Sequence, residues 1–345
     1  MVPSRWLLIE VFGPDGHQQP TVIAKGAEVL KMRPLSTVMK SSRYQGEALG
    51  VVGRAAAAGE KVDVLSGDGQ RRLVGVPLAD FSGHVNAVYF WAGLVGEEPP
   101  PRNLAGAWYF NLTTGLIGGS PELLELYGQA PEERRVQRRT AEAFERLQPN
   151  ADEGATLALL VRGEPGYEHQ GTWTVRRDDG EMRAVNLAVR SVEVPQDDGT
   201  VQVLARGVTQ DIGPADSIPF VPRHTVERAI ILAEQKQQGG SSRVIIDPGT
   251  LMPVKWVDPP PDGVAWTSDA RYAPRIHPRD VAEARRMAGE VIGGATVSGT
   301  LRVRTTGGGW MTVGVTASEM LLDPDSDTKA ALVTVTPAGS GGALS

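Results

Sequence analysis

The chain has 345 residues, 41% hydrophobic and 22% charged, with a formal net charge of −6 and an isoelectric point near 5.5. That length allows two or three ordinary domains with cores of their own, and the acidic balance argues against a non-specific nucleic-acid binder. Cysteine is absent, which excludes disulfides, thiolate metal sites and a cysteine nucleophile, and no apolar stretch approaches the length needed to cross a bilayer.

Along the chain, "WLLIEVF" is too short for a signal-peptide core and already contains Glu10, so it reads as a strand. "YQGEALGVVGRAAAAGE" has a helical pattern. "VDVLSGDGQRRLVGVPLADFSGHVNAVYFWAG" follows as strands parted by the turns "SGDGQ" and "ADFSGH". In the last of these strands Val88, Phe90 and Ala92 fall on one side, Tyr89 and Trp91 on the other. One face of such a sheet is covered by its own helices. Two large aromatics on the other face mark a domain–domain or partner contact, so Tyr89 and Trp91 are interface candidates.

A Pro-rich polar stretch at 95–103 reads as a linker. Beyond it, "WYFNLTTGLIGGSPELLELYGQAPEE" predicts two strands around a Gly turn. A helix follows from about Pro121 to Tyr127, with Ser120 as N-cap and Pro121 at the first helical position. In "EERRVQRRTAEAFERL" the arginines Arg134, Arg135, Arg138 and Arg139, with Glu132, Glu133 and Glu142 nearby, read as a solvated helix face of paired charges rather than a phosphate grip. From Gly171 to Ile212 three strands alternate apolar and polar residues. They are joined by "RRDDGE" and "PQDDGT", whose Asp-Gly pairs suit tight turns, so this segment is an antiparallel meander with one face to be covered.

A second linker falls at about 213–223, and "PRHTVERAIILAEQKQQ" then places Val226, Ile230 and Ala233 at helical spacing. Two roles for Val226 and Ile230 stay open, an interface on a connecting helix and packing across their own domain. "RIHPRDVAEARRMAGEVIGGATVSGTLRVRTTGGGWMTVGVTASEMLLDPDSDTKAALVTVTP" repeats the middle order of helix, Gly break and three strands. The preceding half of this module is proline-rich. The tail at 338–345, "AGSGGALS", is expected to be disordered.

The meander that opens with "RRDDGE" and closes with "GVTQDI", together with "WYFNLTTGLIGGSPELLELYGQAPEE" upstream, resembles a PAS domain. Gln148-Pro149 stands where that family usually has His-Pro. His277-Pro278 and Asp280 match the family's pattern directly in the C-terminal module. "GVVGRAAAAGEKVDVL" with "LVGVPLADFSGHVNAVYFWAG" is similar to a GAF domain, which shares the sheet-and-helix plan. The expected fold class is therefore α+β. Three modules, each an antiparallel sheet with flanking helices, span 1–97 (GAF-like), 104–213 (PAS) and 223–337 (PAS-like).

The resemblance implies a cytoplasmic sensor without an output domain of its own. It would bind a small molecule or a protein and signal through contacts with a protein effector, with a homodimer open; the competing reading is a scaffold with filled cores. No P-loop, H-E-x-x-H, G-x-S-x-G or kinase motif occurs, so no catalytic activity and no metal are expected. In a PAS fold the concave sheet face beneath the helices is the pocket, which makes Trp173 and, on the covering helix, Tyr127 the ligand-binding candidates. His17 and His84 read as solvated turn residues, His224 begins a helix and His277 is structural. His169 ranks first as a ligand-side histidine, including for haem. Absence of cysteine excludes a cysteinyl-flavin adduct, and the cofactor stays unknown.

Overall fold

The computed structural model of the chain describes residues 5–13, 20–40, 43–134, 137–150, 153–217, 240–267, 275–323 and 327–337. His17, His224, Val226, Ile230, most of the second linker and the tail at 338–345 lie outside the described residues.

The N-terminal module comprises β1 (Leu7–Glu10), β2 (Thr21–Lys25), β3 (Glu28–Pro34), α1 (Leu35–Val38), α2 (Gln45–Ala58), β4 (Val62–Leu65), β5 (Arg71–Ala79) and β6 (Val85–Leu94). Its sheet runs β3-β2-β1-β6-β5-β4. The middle sheet contains β7 (Ala105–Asn111), β8 (Leu116–Gly119), β9 (Gln137–Arg139), β10 (Glu168–Arg176), β11 (Met182–Pro195) and β12 (Val201–Pro214), ordered β9-β8-β7-β12-β11-β10. The helices in this span are α3 (Pro121–Leu126), α4 (Thr140–Phe144) and α5 (Glu153–Arg162). The C-terminal sheet, β13 (Ser242–Ile246), β14 (Pro253–Trp256), β15 (Val297–Arg304), β16 (Trp310–Asp323) and β17 (Thr328–Pro337), is ordered β14-β13-β17-β16-β15, with α6 (Val281–Ile292) before β15. All three sheets share one connectivity: the first strand pairs with the last, an N-terminal hairpin extends one edge and a meander the other. The chain is thus an α+β protein of three antiparallel modules.

Two compact units emerge from the packing. One holds Met1–Asn111, Ile117–Val136 and Glu164–Pro219; the other holds Leu112–Leu116, Gln137–Gly163 and Phe220–Ser345. Within the first unit, β6 is buried on both faces. Val88 and Phe90 pack under α2, whose Ala48, Val51, Val52 and Ala55 recur at one helical face. Tyr89 and Trp91, on the opposite face, pack with Ala105, Ala107, Ala188 and Val208 of the middle sheet. Polar ties cross the same layer. The Asn86 amide donates to the carbonyls of Trp108 and Gly207 at 2.8 and 3.0 Å, and buried Arg190 meets buried Glu10 at 3.2 Å.

In the second unit α4 and α5 join the C-terminal sheet, although their sequence lies between strands of the middle one. Gly154 makes this approach feasible, because a Cβ there would sit 2.3 Å from the Leu322 carbonyl oxygen. Lys255 pairs with the buried Glu153 carboxylate. The arginine-rich run differs from the helix face expected of it. Pro131–Glu133 is a single 3-10 turn and Gln137–Arg139 is a strand; the helix starts only at Thr140, where Glu142 accepts from the Arg139 backbone N–H at 2.9 Å. Pro131 starts that short turn, and the capping contact of Glu142 sets the later start.

Candidate ligand-binding cavity

β13 and β15–β17 alternate in the manner of half-buried strands, so every second side chain faces α6. Val244 and Ile246, Leu301 and Val303, and Val313 and Val315 are examples. From above, α6 presents Val281, Ala284, Met287, Ala288 and Val291, the stripe that a 3.6-residue period places on one side. Small residues meet across the gap: Ala284 and Ala288 on the helix, Ala317 and Ala331 on the sheet. They do not fill the space. A cavity of about 570 Å³ remains between helix and sheet, within the usual range for small-molecule sites.

The residues around the cavity are themselves well buried, from Val313 and Val291 at 0% to Leu301 and Val335 at 8% exposed. The β13–β14 connection adds Leu251 and Met252 to the lining, and β14 adds Trp256. Leu251 holds φ +61°, a backbone region costly for a branched side chain and more common at functional sites than elsewhere.

The start of α6 is pinned to β15. Asp280 accepts from the backbone N–H of Arg302 at 2.9 Å and from its guanidinium at 2.9 and 2.6 Å. These bonds, the guanidinium first, hold the Asp280 carboxyl down to about 2. Arg243 similarly grips Asp258 at 2.7 and 2.8 Å beside β14. His277 stacks edge-on against Trp310 at 4.6 Å, and its Nδ1 accepts from the Arg279 backbone N–H at 3.2 Å. The residues of the lining with polar side-chain atoms are few: Thr250, Trp256, Trp266, Arg275 and Arg285.

The residues singled out from the sequence lie elsewhere. Trp173 is fully buried in β10, opposite Val185; His169 is half-buried in the same strand, opposite Val189. Tyr127 caps the C-terminus of α3, and its carbonyl accepts from Asp178 N–H at 2.9 Å. None of the three lines the cavity. Tyr89 donates its hydroxyl to the Asn103 carbonyl at 2.7 Å and receives Gln210 Nε2 at 3.2 Å, with burial pushing its ionisation well above the ordinary range. Trp91 lies 6.4 Å from the Trp6 ring, centroid to centroid. His84 is half-buried in a hydrogen-bonded chain that also includes Asn86 and Arg206. Sequence reasoning missed Trp256, Met287 and the two cavity arginines. The available signal was the run of small residues on one face of α6 and on the strands facing it.

Among the described residues no group of three or more His, Cys, Asp or Glu could hold a metal ion, and no helix is long and apolar enough to cross a membrane.

Family models of the Rv3651-like N-terminal, middle and C-terminal domains match residues 5–101, 104–211 and 227–340 in that order. The chain belongs to the Rv3651-like family. A crystal structure of an uncharacterized protein from Mycobacterium tuberculosis is similar at 25% identity and a TM-score of 0.82, covering 98% of this chain and 97% of that one. The likeness in fold to that structure extends along 98% of the chain. Two sensor structures align over parts of the chain. A sensory box histidine kinase/response regulator from Burkholderia thailandensis aligns at 20% identity and a TM-score of 0.25, over 39% of this chain and 90% of that one. The N-terminal domain of a diguanylate cyclase with a PAS/PAC sensor from Marinobacter aquaeolei gives 21% and 0.25, over 32% and 95%. No curated protein matches.

Proposed function

We propose that this Rv3651-like chain is a sensor-type binding protein. In this reading it is built from a GAF-like and two PAS-like modules, and the C-terminal module takes up a small apolar molecule. Its ligand state is read by a protein partner in the cytoplasm, and its role is binding rather than catalysis. The observation that carries this reading is the apolar cavity of about 570 Å³ between α6 and the C-terminal sheet. Concave, mostly apolar sites with a few polar groups are the usual form of small-molecule pockets. The first two sheets, by contrast, spend Tyr89 and Trp91 on packing against each other, which suits a structural contact between modules.

The test uses the full chain stripped of lipid on a hydrophobic resin and titrated with N-phenyl-1-naphthylamine, an uncharged apolar fluorophore. One saturable equivalent is expected in the parent protein. Little or none is expected in the double variant Ala284→Phe/Val315→Phe, whose rings occupy the cavity. Equal uptake by the two proteins, or none by the parent, rejects the reading.

A further inference from the structure

We propose that the ligand of the C-terminal cavity is an amphipathic anion, its apolar body inside and its anionic head group held by Arg275 and Arg285. This rests on the cavity reading above and adds the chemistry of the head.

Charge pairing in the second unit is uneven. Arg243 is matched by Asp258 at 2.7 Å, Arg302 by Asp280 at 2.6 Å, and Arg286 by Glu283 and Glu290. Arg275 and Arg285 line the cavity, and neither has an acidic partner among the described residues. The contrast is sharpest between neighbours: Arg286 is held by two carboxylates of its own helix, while Arg285 contributes to the cavity lining. Both unpaired cations are solvent-exposed, so the charge lies toward the outside of an otherwise apolar space. That polarity suits a molecule with one charged end.

Two further observations agree. The buried indole N–H of Trp256, a lining residue, makes no hydrogen bond to the described residues, which leaves a donor for an oxygen acceptor. Arg139 of the same unit is destabilised as a cation, first by burial and further by Arg275, while Glu142 opposes the shift. An anion beside Arg275 relieves that repulsion. A guanidinium binds a carboxylate through paired charge-assisted hydrogen bonds, which adds directional preference to the attraction.

Displacement of N-phenyl-1-naphthylamine by dodecanoate and by dodecan-1-ol, two competitors with one chain length, tests the head group on the full chain. An apolar site without a cation prefers the alcohol, the less soluble of the two. The proposal expects dodecanoate to displace the probe at least about tenfold more effectively, the scale of one charge-assisted contact. Arg275→Gln/Arg285→Gln should lose that preference and keep the affinity for dodecan-1-ol and for the probe, which also reports an intact cavity. Equal displacement by the two competitors in the parent overturns the anionic head group and leaves the cavity reading standing. A preference that survives in the double variant overturns the assignment to these arginines. A parent chain that takes up no probe overturns the cavity reading, and this inference with it.

Discussion

Placing the same side chain under two helices distinguishes a filled core from an open one. Ala48 on α2 is 0% exposed and packs in the N-terminal core among residues such as Val88 and Phe90; Ala284 on α6 is similarly buried at 5% but borders the cavity. A phenyl ring at Ala48 has to displace packed neighbours, and overpacking of that kind costs about 1–3 kcal/mol. At Ala284 the ring enters space of about 570 Å³, and filling a cavity commonly adds about 0.5–2 kcal/mol. For units of this size each kcal/mol moves the melting temperature by about 2–4 °C. Scanning calorimetry of the full chain should therefore show Ala48→Phe lowering a transition by about 2–12 °C. Ala284→Phe should leave its transition unchanged or raise it by up to about 8 °C. If Ala284→Phe lowers its transition as far as Ala48→Phe does, the helix and sheet of the C-terminal module are already in full contact and the reasoning fails.

Trp91→Ala removes a 2%-exposed indole from between the first two sheets, and a loss of about 3–5 kcal/mol is expected in calorimetry; an unchanged melt refutes the inter-sheet packing. Acid sensitivity follows from His84. Arg206 only donates, so His84 Nε2 accepts from it at 2.6 Å while Nδ1–H donates to Asn86 Oδ1 at 3.0 Å, which requires the neutral ring. Burial first, then the Arg206 charge, lowers the folded His84 below its unfolded value near 6.5. Above that value both states are neutral and the residue adds no pH dependence. As pH falls below it the unfolded chain takes up a proton that the folded chain resists, so stability drops until the folded pKa is passed, with a slope of at most about 1.4 kcal/mol per pH unit. Asp68 and Asp280, each lowered to about 2, act only in a more acidic window. Melting temperature between pH 7.5 and 5.5 should fall more steeply for the parent than for His84→Gln, and parallel slopes reject the account.

Local signals carried most of the fold. Asp179-Gly180 and Asp198-Gly199 end strands where the sequence placed turns, with Gly180 and Gly199 at φ +87° and +82°, a conformation that suits glycine. Ser120 accepts from Leu123 N–H at 3.3 Å and starts α3 ahead of Pro121, as its position predicts. The proline-rich stretch before the C-terminal helix hid more. Pro253 opens β14, an edge strand, where its missing N–H is tolerated, and Ser242–Ile246 completes the hairpin. The destination of α5 was not legible either, because Gly154 against Leu322 joins residues far apart in sequence.

The site was the least legible part, for a reason that lies in the modules themselves. All three sheets have one connectivity, so topology does not say which interior is open. Large aromatics attract attention in a sequence, yet a large side chain within a compact module tends to fill the space it points into, as Trp173 does at 0% exposure. Space is left where short side chains face each other, and Ala284 and Ala288 opposite Ala317 and Ala331 do this across a helix and a sheet that only the fold brings together. The same comparison separates cations. Arg285 and Arg286 are adjacent in a charged helix and indistinguishable by composition. Helical spacing separates them, since Glu283 and Glu290 stand three and four residues from Arg286 and no acid stands at those spacings from Arg285; what the structure adds is that Arg285 contributes to the cavity lining.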